Sequence, residues 1–196
     1  MDKETRSALA ALRKGMDVER NGYIFYMQAA ASSKNREGSG FFEELARDEV
    51  EHLQLFMGEY EALSAGEGWL PYEEAMARKG DIDAATVKLP SQDLGPPEWT
   101  ELPDVEIFSA QLARERAETE LAGDLAVLEL AMKAERLSYE LYETALSNTT
   151  QGAGQEAFRF LMEQENHHYE LLQRTHEYLA HNETWWDDEE LPSFMG

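Results

Sequence analysis

The sequence predicts an all-α protein: a four-helix bundle built from two copies of one helical hairpin, with a long crossover between the copies and an extended C-terminal tail. Three observations carry that prediction. Apolar residues recur in steps of three and four through two separate blocks, which is the period of one helix face. Sliding the chain along itself by 116 residues aligns 9–63 with 125–179 without a gap, and 17 of those 55 positions are identical. Between the blocks lie five of the six prolines (Pro71, Pro90, Pro96, Pro97 and Pro103) in a stretch without helical period, which suits a connection better than a second domain.

The first hairpin spans about 3–63. Its opening helix carries Leu9, Leu12, Met16, Glu19, Tyr23 and Tyr26 on one face and is expected to end near the Ser32–Gly40 turn. The next helix carries Phe42, Leu45, Glu49, His52, Phe56, Tyr60 and Leu63 in the same rhythm. The crossover covers about 64–121. Within it "PYEEAMARKG" (71–80) reads as a short helix with Pro at its start and Gly at its end, and residues 106–120 read as helical again. The second hairpin spans about 122–181. Asp124 is the expected N-cap of a helix presenting Leu125, Leu128, Met132, Glu135, Tyr139 and Tyr142, and a last helix from about Gln155 to Leu179 turns Phe158, Leu161, Glu165, His168 and Leu172 inward. Residues 1–181 thus make the bundle, and 182–196 form an acidic, aromatic tail whose Trp185–Trp186 pair suits either a cap on the bundle end or a contact between subunits.

Composition narrows the chemistry. The chain has no cysteine, which excludes disulfides, thiolate metal sites and cysteine nucleophiles together. A formal net charge of −23 makes nucleic acid and anionic membrane poor partners and cations good ones. The N-terminal region shows neither a signal-peptide pattern nor an apolar run long enough to span a bilayer, so a cytoplasmic location is expected.

Most acidic residues of such a chain simply solvate its surface. Four do not fit that description, because Glu19, Glu49, Glu135 and Glu165 sit on apolar stripes. Each half supplies one Glu on its first helix and a Glu-x-x-His on its second, as Glu49/His52 and Glu165/His168, with 30 residues between the glutamates both times. Residues three apart on a helix point to one side and can close on one ion. Four helices therefore deliver four carboxylates and two imidazoles to one level of the core. Buried without compensation such a set would cost many kcal/mol, whereas two divalent cations balance the four negative charges. This is the ligand pattern of dinuclear carboxylate proteins. Imidazole plus carboxylate accepts iron, manganese or zinc. Tyr26 and Tyr142 lie two turns beyond Glu19 and Glu135, and because helical side chains lean toward the N-terminus their hydroxyls can reach the ligand layer and hydrogen-bond a carboxylate. Asp48 and Glu51 read as solvated neighbours, Tyr23 and Tyr139 as core aromatics, His167 as either a surface residue or a neighbour of the ligands, and His176 and His181 as surface residues; none of the three histidines has a repeat partner.

The helices "GMDVERNGYIFYMQAA" and "AMKAERLSYELYETAL", with "ARDEVEHLQLF" and "MEQENHHYELL", resemble the rubrerythrin branch of the ferritin-like superfamily. The resemblance covers both halves. It implies a ferritin-like bundle holding two iron ions, with Glu49 and Glu165 bridging them, Glu19 and His52 completing one position, and Glu135 and His168 the other. It implies an oxidoreductase that reduces hydrogen peroxide, or oxygen, with electrons from an external redox protein, in a homodimer. Two departures stand out. The extra Glu usual three residues after the third-helix ligand is Ser138 here, with Gly22 as its counterpart, and the Cys-rich electron-entry domain has no equivalent. Spacing alone stops at a dinuclear carboxylate site, so a ferroxidase or iron-handling protein, and a metal-stabilised scaffold or sensor without turnover, stand as alternatives.

Overall fold

The computed structural model describes residues 2–91 and 120–186. Among them it holds five helices and no strand: α1 (Lys3–Ser32), α2 (Arg36–Ala65), α3 (Tyr72–Lys79), α4 (Glu120–Ser147) and α5 (Gly152–Asn182). None is long and apolar enough to cross a membrane. The arrangement is that of a ferritin-like helical bundle. The expected helix over 106–120 falls almost wholly, and the tail from 187 onward entirely, outside the described residues.

Local signals set the ends of the helices. Asp2 caps α1 by accepting from the Thr5 amide at 2.8 Å, and Asn35 caps α2 by accepting from the Glu37 and Gly38 amides at 2.9 and 3.0 Å. The break between α1 and α2 is therefore only Ser33–Asn35, tighter than the Ser32–Gly40 turn expected from the glycines. Gly66 closes α2 in the left-handed conformation, φ 78°. Pro71 and Gly80 bound α3 as expected. Asp124 does not begin α4, which starts at Glu120; instead its buried carboxylate accepts from the Trp185 indole at 2.8 Å.

Each hairpin packs tightly within itself, and the two halves meet in an antiparallel sense. Tyr26 reaches Glu135 while Tyr142 reaches Glu19, and Asp48 meets His168 while His52 meets Glu165, so α1 runs against α4 and α2 against α5. The core between them is continuous, with Leu12, Met16, Phe42, Phe56, Leu128, Phe158, Leu161 and Leu172 almost wholly buried.

The repeat runs further than residue 63. Continued at the same offset it pairs Trp69 with Trp185, and these tryptophans close opposite ends of the bundle. Trp185 lies on Gly38 and against Phe42, with ring centroids 6.0 Å apart; Trp69 lies on Gly154 and against Phe158, at 5.6 Å. Gly38 and Gly154, like Phe42 and Phe158, are themselves repeat partners. A Cβ on Gly38 would sit 2.7 Å from the Trp185 ring and one on Gly154 2.5 Å from the Trp69 ring, which explains two glycines inside helices where they otherwise cost about 1 kcal/mol each. Trp185 and Trp186 are buried, packed tilted and edge-on against Phe41 and Tyr178, so the aromatic pair is a cap on the bundle end.

The Trp69 segment is tied down from beneath by Glu59, a wholly buried carboxyl that accepts from the Leu70 amide at 3.0 Å and leaves its other oxygen without a partner. Burial outweighs that hydrogen bond and pushes Glu59 up to about 7. In the folded chain Glu59 thus binds its proton from pH 4.5 to about 7 while the unfolded chain releases it, so stability falls as pH rises through that window. Glu59→Gln, which keeps an oxygen for Leu70 and cannot ionise, is expected to stabilise the protein by about 3 kcal/mol above pH 7 and by almost nothing below pH 4.5. Urea unfolding of both proteins across that range, in chelator, checks the difference.

Candidate metal centre

Six residues expected from the sequence converge midway along the bundle. Glu19 comes from α1, Glu49 and His52 from α2, Glu135 from α4, and Glu165 and His168 from α5; none is more than 3 % exposed. One wall of the site depends on Gly22, where a Cβ would stand 3.0 Å from the Glu49 carboxyl. Its repeat counterpart Ser138 is buried and donates to the Ala134 carbonyl at 3.3 Å, so no seventh carboxylate enters from that position.

The distances divide the cluster into two ends. His52 Nδ1 lies 3.4 Å from Glu19 and 3.5 Å from Glu165, while His168 Nδ1 lies 3.6 Å from Glu135. Glu49 stands between, one oxygen 3.9 Å from His52 Nδ1 and the other 3.8 Å from His168 Nδ1. The imidazoles are stacked with centroids 5.5 Å apart. Two triads, Glu19–Glu49–His52 and Glu49–Glu135–His168, each offer one ligand atom per residue within a 4.8 Å sphere of separations, and they share Glu49.

The donor atoms fit a cation. Glu19 Oε2, Glu165 Oε1, His52 Nδ1 and His168 Nδ1 are all buried and have no hydrogen-bond partner, a costly state for polar atoms unless something else satisfies them. Ligand atoms around one divalent ion at ~2.1 Å lie about 3.0–3.4 Å from one another, so the imidazole–carboxylate spacings of 3.4 to 3.9 Å need to contract by less than about 1 Å.

Without a cation, protons and hydrogen bonds must hold the charges. Burial, reinforced by the neighbouring carboxylates, pushes Glu49 and Glu165 well above the ordinary carboxylate range and so favours their protonated forms. Burial also opposes the charge on Glu19 and Glu135, but hydrogen bonds from Glu49 and Glu165 and the nearby imidazoles overcome it; Glu19 is lowered and Glu135 falls to about 2. His168 is disfavoured as a cation by burial, yet Asp48 and Glu135 raise it to about 10. A cation entering the centre therefore displaces protons.

The tyrosines cross between the halves. The Tyr26 hydroxyl donates to Glu135 and the Tyr142 hydroxyl to Glu19, each buried and each held as a neutral donor by burial and by the carboxylate it faces. Tyr23 and Tyr139 are only half-buried and make no contact with the cluster that the geometry records. His167 and His181 are exposed, and His176 pairs with Glu129 at 3.4 Å. Asp48, expected to be a solvated neighbour, does keep about half its side chain in solvent, but its Oδ2 also accepts from His168 Nε2 at 3.2 Å, a contact the sequence reading missed. The signal available was its position beside Glu49, one helical turn before His52.

The family model for rubrerythrin matches residues 101–176, a stretch containing Glu135, Glu165 and His168. It supports a rubrerythrin-like protein of the ferritin-like group, for which di-iron binding is general. Glu19, Glu49 and His52 lie outside that stretch and join the pattern through the repeat. No curated protein and no solved structure matches the chain.

Proposed function

We propose that this rubrerythrin-like chain is a non-haem dinuclear iron protein that reduces hydrogen peroxide, taking electrons from an external redox protein. The observation that carries the reading is Glu49, whose two oxygens face the two imidazoles at 3.9 and 3.8 Å and so address two ion positions at once. When bound, a pair of iron ions supplies two electrons, one from each, which with two protons convert one hydrogen peroxide to two waters.

The chain's own residues have separate tasks. Glu19 and His52 would hold one position and Glu135 and His168 the other, with Glu49 and Glu165 as carboxylates available to both. Tyr26 and Tyr142 fix the orientation of Glu135 and Glu19 by donating to the Oε1 of each, leaving Oε2 facing the imidazole. Phe42, Phe56, Phe158 and Met16 are buried around the tyrosines and the ligand layer and keep bulk water from the centre. The electrons come from outside these 196 residues, which contain no cysteine to hold a thiolate-bound relay.

Stopped-flow mixing of the di-ferrous protein with hydrogen peroxide and, separately, with oxygen tests the reading. Oxidation by peroxide is expected to be at least about tenfold faster. Equal rates would overturn peroxide as the substrate. Oxidation and release of ferrous iron added beyond two per chain would instead favour iron handling, for which the charge of −23 supplies an attractive surface.

A further inference from the structure

The repeat is nearly symmetric at the centre, but one departure touches a ligand directly. Asp48 reaches from α2 across to α5, where its Oδ2 accepts from His168 Nε2 at 3.2 Å. Its side chain is 47 % exposed, at a cleft of about 130 Å³ that it lines with Phe41, Glu44, Leu45, His167 and Leu171, so it needs no compensating charge of its own. The repeat puts Gln164 at the matching position in the second half, an uncharged amide. His52 correspondingly has only Glu19, Glu49 and Glu165 within ion-pair distance among the described residues, all members of the cluster, and meets Phe160 edge-on at 6.5 Å.

We infer that Asp48 makes the two ends of the centre unequal, so that the Glu135–His168 end is the tighter cation position and the first to fill. This rests on the two-ion reading above. A carboxylate accepts and never donates, so the contact fixes a proton on Nε2, and the proton an entering ion displaces is the one on Nδ1, whose lone pair then points into the cluster. It also locks the ring plane and strengthens Nδ1 as a donor, effects whose removal from metal-bound histidines costs about 10- to 100-fold in affinity. Among the described residues His52 has no such anchor. The other difference near the ligands, Gly22 against Ser138, adds no charge to either end, because the Ser138 hydroxyl is turned back to the Ala134 carbonyl.

Calorimetric titration of the metal-free full chain with Co²⁺ reads the inequality without any turnover. Two ions are expected to bind in two phases separated by about 10- to 100-fold. Asp48→Asn is expected to weaken the tighter phase by about tenfold or more and leave the weaker one in place. Gln164→Asp, which adds a group where Asp48→Asn removes one, is expected to tighten the weaker phase. In crystals grown with one equivalent of Co²⁺, the anomalous peak is expected beside Glu135 and His168. Two equal phases, variants that shift both phases alike or neither, or a first ion beside Glu19 and His52 would overturn the inference while leaving the two-ion centre standing. Fewer than two Co²⁺ per chain would overturn the two-ion reading itself.

Discussion

Glu49→Gln is expected to cost the protein its paired metal centre while leaving the metal-free bundle at least as stable as before. In the absence of a cation, burial and the nearby Glu19 favour the uncharged form of Glu49, and a glutamine amide has nearly the same volume and no charge. What the amide cannot do is offer negative charge to two ions. Since losing a residue that merely orients a ligand costs about 10- to 100-fold in metal affinity, losing the carboxylate between the ions should cost more than 100-fold at the second ion and stop peroxide reduction. Glu165→Gln is expected to behave alike, because the same cause raises Glu165. Metal content after dialysis, set beside urea unfolding in chelator, reads both halves of the prediction. A variant that kept two ions, or that lost its fold without metal, would contradict it.

Metal removal is expected to reverse the pH dependence of stability. In the metal-free chain Glu49 and Glu165 bind protons more tightly folded than unfolded, so their contribution falls as pH rises above 4.5. Glu19 and Glu135 act oppositely: their contribution is present above 4.5 and is lost as pH falls, for Glu135 toward about 2. His168 contributes fully below 6.5 and loses that contribution as pH rises toward about 10. The metal-free bundle should therefore be most stable near pH 4.5 and lose stability as pH rises from there. The loaded protein gains about 2.7 kcal/mol for each ion present at 100 times its dissociation constant, and that gain shrinks in acid as protons compete for the ligands. Thermal unfolding with and without metal should thus show a gap that widens from pH 5 to pH 8. A constant gap would mean that the ligands do not exchange protons for ions.

Much of the centre was legible because the chain states it twice. A single Glu-x-x-His on an amphipathic helix is weak evidence, but Glu19, Glu49 and His52 recur as Glu135, Glu165 and His168 at one offset, and the structure brings all six to one level. What was not legible depends on how the halves meet. Tyr26 was expected to reach a carboxylate, yet which one follows from the antiparallel contact of α1 and α4, and it is Glu135 of the other half. Asp48 has the sequence character of a surface residue, and only the approach of α5 turns it into the partner of His168. Asp124 looks like an N-cap until Trp185, 61 residues later, places its indole on it. Glu59 shares the apolar face of α2, seven residues after His52, but its repeat counterpart is Thr175, and its partner is the backbone of the crossover. Trp69 and Trp185 were legible in principle: the same offset that pairs the ligands also pairs them, six residues beyond Leu63 and Leu179.

Anomalous scattering from crystals of the protein purified from its own cell, collected on both sides of the iron, manganese and zinc edges, measures the centre itself. The expected result is two ions per chain about 3.5–4 Å apart, with Glu49 and Glu165 between them, Glu19 and His52 on one and Glu135 and His168 on the other. A single ion, or ions held by any residues other than these six, would contradict it.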